Sequence, residues 1–388
     1  MNLVRPIALI IAFSSTISCT KAASVAAQSA DEFVDSIGVN VHAFPPYTDQ
    51  HDLVKTRLGE LGVRHLRDGD NEQALRYAED LFVKFGIKTT FLMGRRIGGP
   101  DEWKSPLDLA KIDVELSEIK KLAGAATEAL EGPNEYDIHS DKRDVNWAAT
   151  LRGYQQQLYA KAKSDPALKS LPVIAPSLTS AGAYSAVGDL DAAIDRSCVH
   201  LYQSTRNPGT PGWGDNGYGS IRWMFDFIVT NQSPSRKIVW STECGYNSEL
   251  PERVEAKYLP RMFAEFYRNG IERSFKYELL GNQWGLLRDD GSPKPAFMAL
   301  RNLIALLKDP GPSFAPTELD FDLVSKIDDV RTLVLQKRDG TFYIVLWREV
   351  SGWDVNQKKE LRPPSQSLTL CVRQSSRQPS IRWMKPAP

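Results

Sequence analysis

Leu130-Glu131-Gly132-Pro133-Asn134-Glu135-Tyr136-Asp137 is the stretch on which the fold turns. The apolar run before it, residues 125–130, reads as a short buried strand. Gly132-Pro133 is where a strand must stop. Asn134 and Glu135 follow at once. A carboxyl group beside an amide at the C-terminal end of a strand sits at the mouth of a barrel, if the strand belongs to one. Lys237-Ile238-Val239-Trp240-Ser241-Thr242-Glu243-Cys244-Gly245 answers it: a second β-rich run that ends in a carboxylate and a glycine.

Working outward, eight short, apolar, β-branched runs alternate with amphipathic segments. The predicted strands are 34–43, 63–69, 88–94, 125–134, 172–178, 198–204, 237–245 and 273–279. The predicted helices are 52–61, 71–85, 106–122, 145–163, 219–230, 251–268 and 293–308, with a short one within 189–194 after the fifth strand. Gly62 and Gly86 stand where left-handed helix ends are expected, and three helices open near a proline. Strict alternation implies a parallel sheet. Eight units over about 280 residues fit the usual size of a closed (β/α)8 barrel. The competing open, doubly wound sheet would carry a glycine-rich phosphate loop after its first strand; Gly38-Val39-Asn40-Val41-His42 is nothing like one.

Past Pro310-Gly311-Pro312 the texture changes. Runs 332–336 and 341–347 flank Arg338-Asp339-Gly340, a hairpin signal, and 367–372 and 380–384 read as two more strands. The expected organisation is an α/β chain: 1–30 a leader, 31–312 a (β/α)8 TIM barrel, 313–388 a small C-terminal antiparallel β module. That module is short for a sandwich, and a strand from the N-terminal side of the barrel is expected to complete it.

The leader rests on Arg5, the apolar run 6–13 and Val25-Ala26-Ala27, which fits a small-x-small cleavage site. The run is too short to span a bilayer. The expected location is secreted or periplasmic. A lipid anchor at Cys19 is the lesser reading, because Leu is missing where a lipoprotein signal wants it. Export would leave Cys198, Cys244 and Cys371, an odd number and no disulfide framework. Cys198 and Cys244 fall on predicted strands and read as buried small hydrophobes. The 388 residues carry 48 basic and 48 acidic side chains. A net charge of zero offers no electrostatic reason to bind nucleic acid or an anionic membrane. Five histidines without zinc-ligand spacing offer no metal site.

Parallel barrel strands all point one way, so Glu135 after strand four and Glu243 after strand seven face the same mouth. Two carboxyls there suit the splitting of a glycosidic bond: one protonates the leaving oxygen, the other attacks the anomeric carbon or activates water. No metal or organic cofactor is needed for that.

Asn134-Glu135 and Glu243, with Arg67 ending strand two, His200-x-Tyr202 on strand six and Trp284 after strand eight, resemble clan A of the glycoside hydrolases. These are retaining (β/α)8 enzymes; the likeness is to family 39-like or family 5-like secreted hydrolases and covers about residues 34–309. The resemblance implies that Glu135 is the acid/base and Glu243 the nucleophile, kept ionised by Arg67 and the Tyr202 hydroxyl. It implies that Asn134 bonds a sugar 2-hydroxyl, that His200 bonds substrate or positions a neighbour, and that Trp284 is a platform under the sugar. His42 and Asn40, at the end of strand one, line the site or close the barrel. Trp103 and Trp213 stack on more distant sugars or anchor loops. The function this implies is retaining hydrolysis of β-glycosidic bonds in a polysaccharide or oligosaccharide. An exo-acting β-glycosidase and a catalytically silent carbohydrate-binding barrel are the alternatives.

Overall fold

The computed structural model describes residues 23–98, 105–139, 144–323 and 327–373. Eight parallel strands form its centre: β3 (Ile37–Asn40), β4 (His65–Gly69), β5 (Lys88–Leu92), β6 (Thr127–Glu131), β7 (Val173–Ile174), β8 (Ser197–Leu201), β9 (Val239–Cys244) and β10 (Ile271–Lys276). The pairing runs β7-β6-β5-β4-β3-β10-β9-β8. A parallel bridge between Ile174 and Arg196 joins the two ends. The chain is a TIM barrel, and helices cover it.

Most strands stop short of the end of their apolar run, where the last residues are loop that carries side chains to the mouth; β4 runs to the end of its own, Gly69. Residues 34 and 35, expected in the first strand, end a helix, Ala30–Asp35, whose N-cap is Ser29. The helices His51–Leu61 and Glu72–Phe85 end at Gly62 and Gly86, both left-handed as expected. Residues 106–111 are not α-helical as predicted; the helix proper is Ile112–Ala123. The helix after β7 is Ala181–Val187, capped by Ser180. Residues 189–194, predicted helical, hold only the 3-10 turn Asp191–Ala193. Ala181–Val187 is rich in Ala, Gly and Ser and shows no amphipathic period from which to read it. The segment after β8 is α-helical over Ile221–Trp223, continues as a π-helix, Met224–Val229, and ends in an α-helical turn, Thr230–Gln232.

The C-terminal β module is a small sandwich, and the N-terminal stretch belongs to it. β1 (Ala23–Ala26) pairs with β11 (Glu318–Leu323), which pairs with β16 (Leu370–Arg373). β2 (Gln28–Ser29) pairs with β12 (Val330–Gln336), which makes the predicted hairpin with β13 (Phe342–Arg348). A separate ribbon joins β14 (Trp353–Asp354) to β15 (Lys359–Glu360). Alternation along β12 divides its faces. Leu333 and Leu335 join the barrel core with Trp347, whereas Val334 packs with Ala27, Leu319 and Phe321 between the two sheets. The expectation that residues 1–30 lie outside the fold therefore fails from residue 23 onward. Of the small residues that resemble a cleavage site, Val25 and Ala26 are strand residues and Ala27 is buried between β1 and β2. The predicted strand 380–384, Cys19 and residues 1–22 lie outside the described residues. Cys198 and Cys244 are buried and free, while Cys371 on β16 is disulfide-bonded. Among the described residues no helix is long and apolar enough to cross a membrane.

The end of the barrel away from the carboxylates is closed by charge. His65 places Nδ1 2.6 Å from Glu128 and Nε2 3.0 Å from Asp35. Arg273 donates to Glu128 at 2.7 Å and to Asp35 at 2.9 Å.

Candidate active site

β6 stops at Glu131, and the turn through Gly132-Pro133 delivers Asn134 and Glu135 over the mouth. Glu135 has φ +42°, left-handed for a residue with a side chain, a conformation that costs about 1–3 kcal/mol. Its N–H donates to the Ser177 carbonyl at 3.1 Å, which holds the turn. So aimed, Oε1 of Glu135 lies 2.8 Å from Nδ1 of His200.

Glu243 reaches the same place through a fault in β9. Val199 and Ser274, on the two neighbouring strands, both oppose Ser241; one residue later His200 opposes Glu243, and two later Lys276 opposes Cys244. β9 therefore carries one extra residue at 242–243, a bulge. Consecutive strand residues normally point to opposite faces, and a bulge re-aims one of them. Both Thr242 and Glu243 consequently point into the barrel. Thr242 donates to Glu131 at 2.9 Å, and Glu243 accepts from Arg67 at 2.8 Å. Gly245 must follow, because a Cβ there would come within 2.7 Å of the Lys276 side chain.

Arg67, at the mouth end of β4, is the centre of the network. Nε and Nη2 donate to Glu131 at 2.6 and 2.9 Å. Nη1 donates to Asn40 at 3.0 Å and to Glu243 at 2.8 Å, and Nη2 also donates to Asn134 at 2.8 Å. A guanidinium has five N–H groups, and these five bonds use all of them. Asn40 is held in turn by the carbonyls of Thr242 and Phe275. The Asn134 oxygen accepts from Arg67 and from Ser177, so its amide N–H groups are what it presents elsewhere.

Electrostatics separate the groups. Burial pushes the Glu243 carboxyl up, but His200, Arg67 and the Tyr202 hydroxyl at 2.9 Å outweigh it and hold Glu243 below the usual carboxylate range. Burial pulls the His200 ring down, yet the charges of Glu243 and Glu135 raise it above the usual histidine value. Burial, then the charge and hydrogen bond of Glu243, drive Tyr202 well above the ordinary phenol range, so it stays a donor.

The structure brings together Glu135, Glu243, Asn134, Arg67, His200 and Tyr202. Trp284 stands one ring further out, edge-on to Tyr202 at 5.3 Å and to Tyr277 at 6.1 Å. The fully buried Lys276 fixes that wall by donating to the Tyr277 carbonyl at 2.6 Å and the Trp284 carbonyl at 2.7 Å. His42 does not reach the carboxylate pair. It stacks on Phe44 at 4.7 Å, stands edge-on to Tyr277 at 5.5 Å and puts Nε2 3.2 Å from Glu278. Trp213 sets its ring under the Arg206 guanidinium and against Gly219. Trp103 lies outside the described residues.

No protein-family model matches this sequence, and no curated protein does. Solved structures resemble it in shape. A family 39 glycoside hydrolase from the gut symbiont Bacteroides cellulosilyticus WH2 superimposes with a TM-score of 0.60 at 18% identity, over 90% of this chain and 81% of the other. Gas2p of Saccharomyces cerevisiae, in complex with laminaritetraose and laminaripentaose, gives 0.48 at 14% identity, over 71% and 64%. The first likeness agrees with the barrel; the second is too slight to add to it.

Sequence reasoning missed Glu131, Thr242 and Tyr277. Glu131 had a signal: a carboxylate within a buried strand demands a partner. Glu135, His200 and Glu243 could also hold a cation, since one donor atom from each lies within 4.8 Å of the others. Both oxygens of Glu243 are already engaged, however, by Arg67 and Tyr202. Arg67 supplies there the positive charge that an ion would bring.

Proposed function

We propose that this chain is an exported retaining β-glycosidase acting on a polysaccharide or oligosaccharide. The observation that carries the reading is the approach of Glu135 to Glu243, with an oxygen of each within 4.8 Å of the other. Retaining enzymes hold their carboxyls about 5–5.5 Å apart, and inverting enzymes leave about 6.5–9.5 Å for a water.

The surroundings divide the roles. Glu243, held charged, attacks the anomeric carbon. In this reading His200 presents Nδ1–H to Oε1 of Glu135, 2.8 Å away, and the proton given to the leaving oxygen sits on Oε2. The C–O bond to the leaving group breaks as the ester to Glu243 forms. In the second step Glu135, now a carboxylate, takes a proton from water. That water attacks the same carbon, and Glu243 leaves with its charge restored. Asn134 offers its amide N–H to the sugar 2-hydroxyl.

Aryl β-glycosides and polysaccharides, with NMR of the first-formed sugar, test the reading. Retained configuration supports it. An inverted anomer at early times sinks the mechanism even if both glutamates prove essential. Product size in the same experiment tells endo from exo action, and binding without turnover would indicate a silent carbohydrate-binding barrel.

A further inference from the structure

A cavity of about 240 Å³ opens beside the carboxylate pair, between the loop after β7 and the long loop after β8. Glu135, His200 and Tyr202 form part of its wall, while Glu243, Arg67 and Asn134 do not. The nucleophile must touch the anomeric carbon, and the acid must touch the leaving oxygen. A cavity that meets the acid and not the nucleophile lies on the leaving-group side.

The rest of the wall is mostly rings and aliphatic chains, Tyr184, Trp213, Tyr218 and Trp223 with Leu178 and Ile228, interrupted by Thr179 and Ser180. Tyr218 is 39% exposed. It stands edge-on to Trp223 at 4.6 Å and to Trp213 at 5.4 Å, and Phe227 supports Trp223 from behind. Three of the hydroxyls along the wall are spoken for. Tyr184 donates to the Cys198 carbonyl, Tyr202 to Glu243 and Thr179 to Asp137. Among the described residues no lysine or arginine lines the cavity, and the one carboxylate there is the acid itself.

Resting on the glycosidase reading, we infer that this cavity receives the leaving group and selects an uncharged ring with an apolar face, either an aromatic aglycone or a neutral sugar. Apart from His200, whose Nδ1 faces Glu135, it offers ring faces where an anionic sugar would need cations. Its volume, below the roughly 300–1,000 Å³ of drug-sized sites, suits one ring and not a chain.

The test is binding, which needs no turnover. Phenyl, methyl, 4-carboxyphenyl and β-glucosyl 1-thio-β-glycosides of glucose, xylose, galactose and mannose are titrated against the full chain by calorimetry. The phenyl or glucosyl compounds should bind about tenfold tighter than the methyl ones, the scale of one aromatic contact; whichever gains more names the source of the ring. The carboxyphenyl compounds should lose that gain. Tyr218→Ala, at an exposed position, should erase most of the gap and leave the methyl compounds unchanged, and Trp223→Ala should do the same where it folds. Equal affinities, no binding by any compound, a gap that survives Tyr218→Ala, or a preference for the carboxyphenyl compounds overturns the inference. Turnover of aryl O-glycosides is measured beside it. Ring-selective binding without turnover refutes hydrolysis and leaves the cavity's selectivity standing; turnover without ring selectivity refutes the selectivity alone.

Discussion

Tyr202→Phe isolates one bond in the proposed site. The change keeps the ring that meets Trp284 and removes only the hydroxyl that donates to Oε2 of Glu243 at 2.9 Å. A hydrogen bond to a charged group is worth about 1.5–3 kcal/mol, or about 10- to 150-fold in a rate or equilibrium constant. Where that loss falls depends on the step. In the proposed first step Glu243 gives up charge as it forms the ester, so a bond to its carboxylate weakens on the way to the transition state. In the second step Glu243 regains charge as it leaves, and the same bond strengthens. Tyr202→Phe should therefore spare the first step and slow the second, up to that 10- to 150-fold limit.

The assay is pre-steady-state release of an activated aryl leaving group. The variant should show a burst matching the enzyme concentration, with kcat and KM both lowered because the glycosyl ester accumulates. The pH profile supplies a second readout. Glu243 is depressed although burial opposes it, because His200, Arg67 and Tyr202 together prevail. Removing Tyr202's share raises its pKa toward the ordinary carboxylate range, so activity is lost at a higher pH as the solution is acidified. Loss of rate with no burst and an unmoved acid limb would refute the assignment of Glu243 as nucleophile.

Other expectations are open to direct measurement. Glu135→Gln and Glu243→Gln should each remove at least about 100-fold of turnover, since each acts on the bond being broken, with thermal unfolding little changed; near-normal activity in either would undo the proposed roles of acid and nucleophile. His65 at the barrel base is raised despite burial because Glu128 and Asp35 face it, and Glu128 is lowered. The raised histidine stabilises the fold fully below about pH 6.5 and less as pH climbs through its folded value; the lowered carboxyl stabilises above about pH 4.3 and less as pH falls. Tm should thus be highest between, and a Tm that climbs from pH 6 to 8 would contradict this. Glu349 of the β module is buried and accepts from Asn207, Gly209 and Arg261 at 2.7, 2.9 and 2.8 Å. Glu349→Gln should cost about 3 kcal/mol by leaving Arg261 uncompensated, seen as a fall in Tm of several degrees; an unchanged Tm would show the grip to be idle. N-terminal sequencing of exported protein should find a start at or before Ala23, because β1 pairs with β11; a start at Gln28 would show that strand to be dispensable.

Patterns that act locally are legible in the sequence, and those set by pairing are not. Gly132-Pro133 stops a strand whatever surrounds it, which places Glu135 at a strand end, and Arg338-Asp339-Gly340 makes a turn on its own. The bulge in β9 is different. Ser241-Thr242-Glu243 carries no mark of an extra residue, and only the registers of β8 and β10 reveal it. Glu131 and Arg67 stand 64 positions apart, so neither announces the other. Trp284 reads from its position as the platform, whereas Tyr277, directly after β10, stands between it and His42. Residues 23–29 carry two meanings in one composition. Small residues suit a peptidase site and also fit beneath a sheet, and only the partner strands decide between them.

Glu131 gives the site its balance. It sits fully buried with both oxygens on Arg67, and it touches no position where a substrate could react. Without it, the guanidinium could turn its paired N–H groups on Glu243 and bind that carboxylate with two bonds. A nucleophile held so tightly would be charged but slow, since each bond must weaken as the ester forms. By taking Nε and one N–H of Nη2, Glu131 leaves Glu243 a single bond from Arg67, at 2.8 Å. The remaining N–H groups go to Asn40 and Asn134, which places the proposed substrate amide by the same cation. Thr242, turned inward by the bulge, steadies Glu131 from the strand that bears Glu243. The bulge thus does two things with one extra residue: it points Glu243 at the mouth, and it braces the carboxylate that keeps Arg67 from holding Glu243 too hard.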